Sequence, residues 1–459
     1  MKRLVVIGGG ISGLAAAQAA REAAGEGLDV VVLERAPDVG GKALSLRERG
    51  FLVEAGPTGY LDNEPVVDRL VAAAGLTKIP ADGAAAHRFI YRAGKMREVK
   101  ANPLAFAFSG LLSPRGLLRI PFEFFVKPRR AAGEESVFDF ARRRIGRQGA
   151  ERLIAPMMLG VFAGDARRLS LEAALPRMAE IERTYGSLFK GLAAIRRAGK
   201  KNAGPAPSAT LTSFPEGLQQ LPRELARRGR FTVRCGVEAE RLVPRAEGGY
   251  EVVLAAGGSL AADAVALCGE PWATAALCRE WLPELARPFS EIHCPPVAVV
   301  ALGYGPAAFE VVPRGFGVLV PRGEGVRTLG ALWDTHLFAG RSPERRLLLR
   351  AMLGGAVDPE APEMCDAGLV EQAREDLEKV MKLSLAPVFS KVVVWPRAIP
   401  QYELGHLSKV RAIETELARR PGLFVGGNGL YGIAFAKAAA AGIRAGEAAA
   451  AYLGARRPT

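Results

Sequence analysis

A glycine-rich turn near the start of the chain has the residue types and spacing that cradle a phosphate. It reads Gly8-Gly9-Gly10-Ile11-Ser12-Gly13. An apolar run at residues 4–7 precedes it and an alanine-rich stretch to residue 24 follows, which is the strand and helix context that this GxGxxG spacing requires. Gly8 permits the tight turn, Gly10 lets a pyrophosphate approach the backbone, and Gly13 lets helix and strand pack closely. Because a helix N-terminus presents free N–H groups and a positive dipole end, the turn predicts a dinucleotide site.

Glu34 ends a second predicted strand, residues 30–33, and lies 21 residues past Gly13. A carboxylate at this place accepts hydrogen bonds from both ribose hydroxyls of a dinucleotide. Gly40-Gly41-Lys42 follows, and Glu54 stands in a further glycine-flanked strand. A simple NAD-binding unit does not need this second glycine pair, whereas in FAD enzymes it lets the chain pass beside the pyrophosphate and the ribityl chain. The combination favours FAD.

A second strand-and-helix unit closes the chain. Residues 423–428 are predicted as a strand ending in glycines, and an Ala- and Gly-rich helix is predicted from Ile433 to residue 453. The N-terminus of such a helix stabilises negative charge, which reduced flavin carries on N1 and the C2 carbonyl. The alternative is a small-residue helix that only packs against the first one.

The composition limits the class of protein. A chain of 459 residues predicts two or three domains, and no apolar run approaches ~18 residues, so we expect no transmembrane helix. Five cysteines form no CxxC pair, which favours a reducing cytosol and buried inert thiols. With four scattered histidines, we expect no metal site.

The positive charge is concentrated in one segment. Residues 88–201 hold 24 Lys and Arg against 10 Asp and Glu, which equals the whole chain's net charge of +14. The segment contains apolar runs at residues 104–112 and 121–126, followed by Lys127, Arg129, Arg130 and the cluster 142–144. Such a pairing suits an anionic membrane surface, and the alternatives are a solvated face or the core of a helical domain. Nucleic acid is disfavoured because no recognition motif accompanies the charge.

The remaining periodicity predicts the organisation. The expected helices cover residues 64–75 and 369–382, and residues 88–205 are expected to be mostly helical, ending in a loop at 200–208. The expected strands are residues 231–242, 250–254, 264–267, 297–302 and 317–320.

Central sequence blocks carry a resemblance to a known family. The blocks are Gly160-Val161-Phe162-Ala163-Gly164-Asp165 with Leu169-Ser170, Ser213 to Leu218 (SFPEGL), Gly315 to Pro321 (GFGVLVP), Met352 to Gly355 (MLGG), and Ile399 to Tyr402 (IPQY) with Gly405-His406. Over essentially the whole chain the sequence resembles the protoporphyrinogen oxidases, the flavoenzymes of haem and chlorophyll synthesis. A generic amine oxidase shares the FAD-binding ends but not these blocks.

The resemblance implies an α/β fold. It has an FAD-binding Rossmann-like (para-hydroxybenzoate-hydroxylase-like) domain, an α+β substrate domain and a helical membrane-binding insert. The implied boundaries are 1–60, 206–295 and 386–459 for the FAD domain, 61–87 and 296–385 for the substrate domain, and 88–205 for the insert.

The resemblance also implies the contact residues. Those expected to bind FAD are Gly8, Gly9, Gly10, Ile11, Ser12, Gly13, Glu34, Arg35, Gly40, Gly41, Lys42, Gly56, Pro57, Thr58, Gly59, Val237, Trp395, Asn428, Ile433, Ala434 and Phe435. Those expected to line a macrocycle pocket are Gly160, Gly164, Phe316, Gly317, Leu319 and Met352, with Arg97 for a substrate propionate. Because the flavin carries the chemistry, no catalytic side chain is expected, and His406 is interpreted as structural.

The implied activity is the oxidation of protoporphyrinogen IX to protoporphyrin IX. Six electrons leave in three two-electron rounds through FAD, and dioxygen is reduced to hydrogen peroxide. The alternatives are a coproporphyrinogen III oxidase of the same family, a flavin amine oxidase, and a non-catalytic FAD-bound membrane or partner module. The expected location is the cytoplasmic face of the cell membrane, with hand-over of the product to the next haem-pathway enzyme.

Two departures from the family pattern concern the substrate. Ala436-Lys437-Ala438 stands where the family often has a polar, cysteine-containing run. The stretch 96–104 lacks the family's propionate-binding arginine at the expected end, which leaves Arg97 or Lys100 as substitutes.

Overall fold

Five parallel strands form the central sheet in the computed structural model, which describes residues 1–62, 64–100, 102–129, 133–197 and 210–455. In spatial order they are Thr232–Cys235, Leu28–Glu34, Lys2–Ile7, Ala264–Leu267 and Leu423–Val425. The apolar runs of the three inner strands are buried on both faces, as a parallel sheet covered by helices requires. Because parallel strands end at the same edge, Gly8 and Glu34 lie side by side there.

The first and last described helices cover one face of this sheet and touch backbone to backbone. Helix Ile11–Ala24 packs along helix Phe435–Ala455. A Cβ added at Gly442 would lie 1.9 Å from the Ser12 carbonyl oxygen, and one at Gly446 would lie 2.1 Å from that of Ala16. The closing helix therefore packs closely against the first one, and its role toward the flavin stays a prediction.

A three-stranded antiparallel meander and several short elements complete this part of the chain. The meander comprises Ala239–Pro244, Tyr250–Leu254 and Ser259–Ala262. The predicted single strand 231–242 is wrong, because the chain turns at Gly236 (φ 72°) and the first half joins the parallel sheet instead. The short paired strands are Ser45–Glu48 with Phe51–Glu54, and Leu211–Ser213 with Tyr60–Leu61 and Ile79–Pro80. The flanking helices are Pro65–Ala74, Gln220–Arg228, Pro271–Cys278, Pro283–Ser290 and His406–Ala418.

A seven-stranded mixed sheet forms the second layer. Its order is Phe389–Trp395, Val297–Tyr304, Leu347–Gly354, Gly330–Leu332, Gly317–Leu319, Arg88–Arg92 and Lys95–Glu98. Helix Asp366–Met381 packs on one face, and the short helices Pro306–Val311 and Asp334–Leu337 flank it. The expected domain boundaries at residues 88 and 386 therefore cut through one sheet, and residues 88–98 are strands where the sequence predicted helix.

The helical insert occupies the described residues from Pro103 to Arg197. Its segments are Pro103–Ala107, Pro114–Arg119, Pro121–Phe125, Val137–Gly149, Ala150–Ile154, Ala155–Phe162, Leu171–Ala174, Pro176–Tyr185 and Leu188–Arg197. The predicted loop 200–208 and the terminus after residue 455 lie outside the described residues. No helix in the described part of the chain is both long enough and apolar enough to cross a bilayer.

The cysteines differ from the sequence-based expectation. Cys268, Cys278 and Cys294 are buried, and burial raises their thiol pKa values, to about 11 for Cys294. Cys235 and Cys365 are exposed. The expectation of buried thiols thus holds for three of the five, because the exposed two lie at a strand end and before a helix.

Candidate active site

The glycine turn joins the first strand to the first helix. The Gly8 N–H donates to the Leu33 carbonyl at 2.8 Å, and its φ of 109° belongs to the region that favours glycine. A Cβ at Gly13 would lie 1.8 Å from the Gly8 carbonyl oxygen. Both positions therefore require glycine. Gly10 precedes the helix, whose first-turn amides face the end of the strand.

Glu34 braces the glycine turn from the neighbouring strand. Its Oε2 accepts a hydrogen bond from the Gly9 N–H at 2.7 Å, and its Oε1 accepts one from the Ala36 N–H at 2.8 Å. A Cβ at Gly9 would lie 2.8 Å from the Glu34 Cβ. The Val237 N–H donates to the Glu34 carbonyl at 2.9 Å, which places Val237 at this edge too. The carboxylate lies where the ribose of a dinucleotide is expected.

The second glycine pair lies against the first. The Gly40 N–H donates to the Gly9 carbonyl at 3.0 Å, and Gly40 and Gly41 have φ values of 120° and 58°. A Cβ at Gly56 would lie 1.8 Å from the Lys42 carbonyl oxygen. Residues 8–13, 40–42 and 56 therefore form one cradle of glycine backbone. The space in front of Gly10 is open, because a Cβ at this position would lie 4.0 Å from its nearest neighbour.

Two cationic side chains predicted for FAD have protein partners. The Lys42 Nζ lies 2.7 Å from Glu270 Oε2, although the geometry is too poor for a hydrogen bond. The guanidinium of Arg35 lies 5.0 Å from the centroid of the Trp272 ring, and that of Arg397 lies 4.9 Å from it. These contacts fix cations beside the cradle.

Arg350 holds the loop at residues 54–58, which includes expected FAD contacts. It is buried in an ion pair with Asp334, and it donates to the carbonyl groups of Glu54 and Gly56 and to the Thr58 hydroxyl. The indole N–H of Trp395 donates to the Ala55 carbonyl at 2.7 Å. Sequence reasoning missed Arg350, whose only signal is a lone cation in the apolar strand Leu347–Gly354.

Glu54 has a structural role. It is fully buried, and it accepts hydrogen bonds from the Ser45 hydroxyl at 2.6 Å and the Leu218 N–H at 2.9 Å. Burial raises its pKa. The neighbouring Gly59 packs tightly, since a Cβ there would lie 2.5 Å from the Thr212 carbonyl oxygen. These residues shape the turn that contains Pro57 rather than offering a free carboxylate.

Tyr402 fixes the loop before the closing helix. Its hydroxyl donates to the Asn428 carbonyl at 2.6 Å and accepts from the Gly432 N–H at 2.7 Å. The Gly427 N–H donates to the Ser12 hydroxyl at 2.6 Å. The loop is thereby tied to the start of the first helix. Ile433, Ala434 and Phe435 follow it, and Ile433 packs against the helical insert.

His406 supports Tyr402 from behind. The two rings stack with centroids 4.0 Å apart. Burial lowers the pKa of His406 to about 4, so the imidazole is neutral near pH 7. A buried ring stacked on a tyrosine agrees with the structural interpretation of this histidine.

Several residues predicted for the macrocycle pocket come together on one face of the seven-stranded sheet. Across the sheet, Leu319 pairs with Gly330, which pairs with Met352. A Cβ at Gly160 would lie 2.5 Å from Leu319 Cδ2. Met352 and Trp395 pack against one apolar cluster that includes Leu159 and Ala163. This arrangement places an apolar surface beside the FAD cradle.

Gly164 lies at the end of the same helix. A Cβ there would lie 2.3 Å from Gln401 Oε1. The Gln401 amide N–H donates to the Phe162 carbonyl at 2.8 Å. The IPQY block therefore holds the turn that contains Gly164 against the sheet.

Phe316, Gly317 and Arg97 are placed differently from the expectation. The Arg88 guanidinium lies 5.1 Å from the Phe316 ring centroid, so this ring packs at the surface and is not grouped with Leu319. A Cβ at Gly317 would lie 2.1 Å from the Ala331 carbonyl oxygen, so its role is in strand packing. Arg97 donates to the Ser109 carbonyl at 3.0 Å, which ties its guanidinium to the insert.

Comparison with known proteins decides the family. The model of the flavin containing amine oxidoreductases matches residues 11–450. The chain belongs to this family. It is an FAD-dependent oxidase, and the glycine cradle is the part of the described structure that fits FAD.

The relatives refine the resemblance. The chain is 31% identical to protoporphyrinogen oxidase 1, chloroplastic, of Arabidopsis thaliana, over 94% of this chain and 85% of that protein. It is 33% identical to the chloroplastic protoporphyrinogen oxidase of Oryza sativa subsp. japonica, over 94% and 85%. It is 28% identical to coproporphyrinogen III oxidase of Bacillus subtilis, over 94% of each. The resemblance to the protoporphyrinogen oxidases is thus confirmed.

Solved structures confirm the fold. A crystal structure of a protein from Exiguobacterium sp. 255-15 superposes with a TM-score of 0.83 at 24% identity, covering 98% of this chain and 99% of that one. Cyclohexylamine oxidase from Brevibacterium oxydans superposes with a TM-score of 0.72 at 17% identity, covering 99% of each. At these identities the likeness concerns the fold alone.

Proposed function

We propose that this protein oxidises protoporphyrinogen IX to protoporphyrin IX, with dioxygen as the electron acceptor. The observation that carries the proposal is the apolar surface of Leu319 and Met352, which adjoins Trp395, the residue that holds Ala55 of the FAD cradle. When bound, FAD supplies the two-electron redox chemistry. The relatives named above support a porphyrinogen as the substrate.

The side chains beside this surface would orient a flat substrate and exclude water. The surface consists of aliphatic residues with Met352 and Trp395, which suit the faces of a macrocycle. His406 is buried behind Tyr402, and burial lowers its pKa to about 4, so its imidazole is a weak proton acceptor that the substrate does not reach. Substrate orientation is the protein's main contribution in this proposal.

Purified FAD-loaded protein tests the proposal directly. It is supplied under air with protoporphyrinogen IX, coproporphyrinogen III or a simple amine, while porphyrin fluorescence and hydrogen peroxide are followed. Peroxide with porphyrin formation supports the proposal. Peroxide from the amine alone identifies an amine oxidase, and no turnover of any substrate indicates a non-catalytic module.

Coproporphyrinogen III is the second candidate substrate. It carries four carboxylates where protoporphyrinogen IX carries two. A cavity lined by four arginines beside the apolar surface favours it.

We further propose the FAD contacts and a domain division. The contacts are the predicted set at residues 8–13, 34–35, 40–42, 56–59, 237, 395, 428 and 433–435. The division keeps a para-hydroxybenzoate-hydroxylase-like FAD domain, but it assigns residues 88–98 and 389–395 to the substrate domain because they are strands of its sheet. The insert then begins after Glu98.

We propose that the insert attaches peripherally to an anionic membrane surface. Phe108 and Phe125 are 83% and 82% exposed, and the Phe125 ring centroid lies 6.5 Å from that of Phe122. Adjacent exposed apolar groups of this kind mark interaction surfaces. Leu104, Leu118 and Phe122 are also exposed. Leu111 and Leu112 are buried, so these two belong to the core of the helical domain, as the alternative interpretation predicts.

The cations of the insert also divide into exposed residues and residues held inside the protein. Lys127 and Arg129 are exposed, while Arg130 lies outside the described residues. Arg143 and Arg144 are not available to lipid, because they form ion pairs with Glu135, Glu123 and Glu182. The proposed location is the cytoplasmic face of the cell membrane, where the product would pass to the next haem-pathway enzyme.

A further inference from the structure

A cavity of about 460 Å³ lies between the edge of the seven-stranded sheet and the helical insert. Arg92 and Arg322 line it from the sheet side, and Arg152 and Arg167 line it from the insert. Two carboxylates, Glu151 and Asp165, also line it. The lining therefore carries an excess of positive charge.

Two of the arginines already have acidic partners outside the lining. The Arg92 guanidinium lies 3.6 Å from Glu324, and that of Arg322 lies 4.0 Å from Asp358. Glu151 is turned to Arg147, 2.7 Å away. Asp165 accepts a hydrogen bond from the backbone N–H of Arg167. After these contacts are taken into account, the positive charge of the cavity lining exceeds its negative charge.

Arg152 and Arg167 have no carboxylate within ion-pair distance among the residues that the structure describes. Arg152 is held by the Gln148 side-chain oxygen at 3.0 Å and the Leu111 carbonyl at 3.4 Å. Burial and the nearby Arg92 lower its pKa. The Arg167 guanidinium lies 3.6 Å from the centroid of the Phe138 ring. Both cations are thus fixed in place, and an arriving anion would not have to order them.

The cavity adjoins the proposed substrate surface. Leu159 and Val357 line the cavity and also belong to, or pack against, the apolar cluster that contacts Met352. A macrocycle on that cluster would therefore direct its edge toward the arginines. Ionised carboxylates are the groups that arginine binds best in planar, paired geometry.

We propose that this cavity receives side-chain carboxylates of the tetrapyrrole and so gives a four-carboxylate porphyrinogen a lower KM than a two-carboxylate one. The inference rests on the part of the proposed function that makes the protein a porphyrinogen oxidase, and between the two candidate substrates it favours coproporphyrinogen III. Arg152 and Arg167 are the specificity-determining residues, because their charges are the ones that lack an acidic partner in the described chain.

A binding experiment tests the cavity independently of turnover. Quenching of coproporphyrin III fluorescence by the FAD-loaded protein gives Kd for wild type, Arg152→Gln, Arg167→Gln and Arg152→Lys. The glutamine variants should bind about tenfold more weakly, since each loses one charged hydrogen-bond partner. Arg152→Lys should retain most of the affinity. Arg168→Gln is the control, because Arg168 is the exposed neighbour of Arg167 and is paired with Glu403 outside the lining.

The tetramethyl ester of coproporphyrin and inorganic phosphate identify the chemistry that is bound. The ester should bind wild type and the glutamine variants equally. Loss of ester binding in the variants would point to structural damage and overturn the proposal. Phosphate that competes fully at millimolar concentration, with no dependence of porphyrin binding on Arg152 or Arg167, would make the cavity a site for free anions only.

Steady-state kinetics separate this inference from the proposed function. Wild type should have a lower KM for coproporphyrinogen III than for protoporphyrinogen IX, and Arg152→Gln with Arg167→Gln should remove most of that difference while kcat changes little. If the protein oxidises the porphyrinogens but KM for coproporphyrinogen III is the same in wild type and in the variants, the inference is overturned and the proposed function stands. Failure to oxidise either porphyrinogen would overturn the function, while the binding experiment would still decide on the cavity.

Discussion

Arg350 and Asp334 form a buried two-point ion pair, with Nη2 2.9 Å from Oδ1 and Nε 3.0 Å from Oδ2. The remaining N–H groups of Arg350 hold three successive points of the loop at Glu54, Gly56 and Thr58. One cation in the substrate-side sheet thus sets the shape of the FAD cradle. The two layers of the molecule are coupled through this side chain.

Arg350→Ala should destabilise the fold and weaken FAD retention together. Removing one partner of a buried ion pair costs roughly 3–5 kcal/mol, and the loop at Gly56 loses its donors. Urea denaturation and the flavin absorbance of the purified protein measure the two effects. Arg374→Ala is the control, since Arg374 forms exposed helix pairs. A variant with normal flavin content and stability would contradict the coupling.

Glu34→Ala should purify with substoichiometric flavin. The loss of a charged hydrogen-bond acceptor at the ribose costs roughly 1.5–3 kcal/mol of binding free energy, and Gly9 also loses its brace. The ratio of flavin to protein absorbance measures occupancy, and titration with added FAD gives Kd. Glu26→Ala serves as the control on the exposed turn before the same strand. Full, tight flavin binding by Glu34→Ala would remove this carboxylate from the cofactor site.

Met352→Lys should raise KM for the porphyrinogen by about tenfold or more, because a buried charge on the apolar surface must be desolvated against the macrocycle. Flavin content should stay normal, since Met352 contacts the cluster and not the glycine cradle. Met352→Leu keeps the volume and should behave as wild type. An unchanged KM for the lysine variant would place the substrate elsewhere.

Stability should fall with acid in part through His406. Burial lowers its folded-state pKa to about 4, against about 6.5 for an unfolded histidine, so the unfolded chain binds the proton first. The stabilising contribution is complete above pH 6.5 and is lost as pH falls through 4, by up to about 3 kcal/mol. Denaturation midpoints of wild type and His406→Phe, measured from pH 7 to 4.5, should converge toward acid. Parallel curves would show that this ring does not titrate as described.

Sedimentation with vesicles tests the membrane proposal. Binding to anionic vesicles should exceed binding to neutral ones and weaken at high salt, because each surface cation contributes about 1 kcal/mol. Phe108→Ser with Phe125→Ser should reduce binding to both lipids, and Lys127→Glu with Arg129→Glu should reduce it only for the anionic one. Val311→Ser, an exposed apolar site outside the insert, is the control. If the protein sediments with neither lipid, the membrane proposal is contradicted.

The parts of the fold that the sequence predicts best are those fixed by local pattern. Strand Ala264–Leu267 has the predicted bounds, and strand Leu423–Val425 begins at the predicted residue and ends before the glycines, because a short apolar run has few other options. Strands Arg88–Arg92 and Lys95–Glu98 lie in a stretch that the sequence predicts as mostly helical. The two strands pair with each other, and Arg88–Arg92 joins the sheet by pairing with Gly317–Leu319, more than two hundred residues away in sequence, so no local pattern contains that partner.

The candidate site divides along the same line. The glycine turn and Glu34 can be predicted from the sequence, because the backbone geometry requires those residue types at a fixed spacing. The role of Arg350 cannot be predicted from the sequence. Its partner Asp334 and its acceptors at residues 54–58 become neighbours only when two sheets pack together. Arg143 and Arg144 look like surface charge in the sequence, and only the three-dimensional placement of Glu123 and Glu182 makes Arg144 an interior residue and Arg143 a half-buried one.

The backbone contact between Gly442 and Ser12 also has a consequence for synthesis on the ribosome. The glycine turn is synthesised about four hundred residues before the strand and helix that cover it, Leu423–Val425 and Phe435–Ala455. A nascent chain therefore exposes an uncovered parallel sheet throughout that interval, a state in which chains are prone to aggregate. Assembly of the nucleotide-binding half is thus expected to wait for these two late elements, and coexpressed folding helpers would act in that interval.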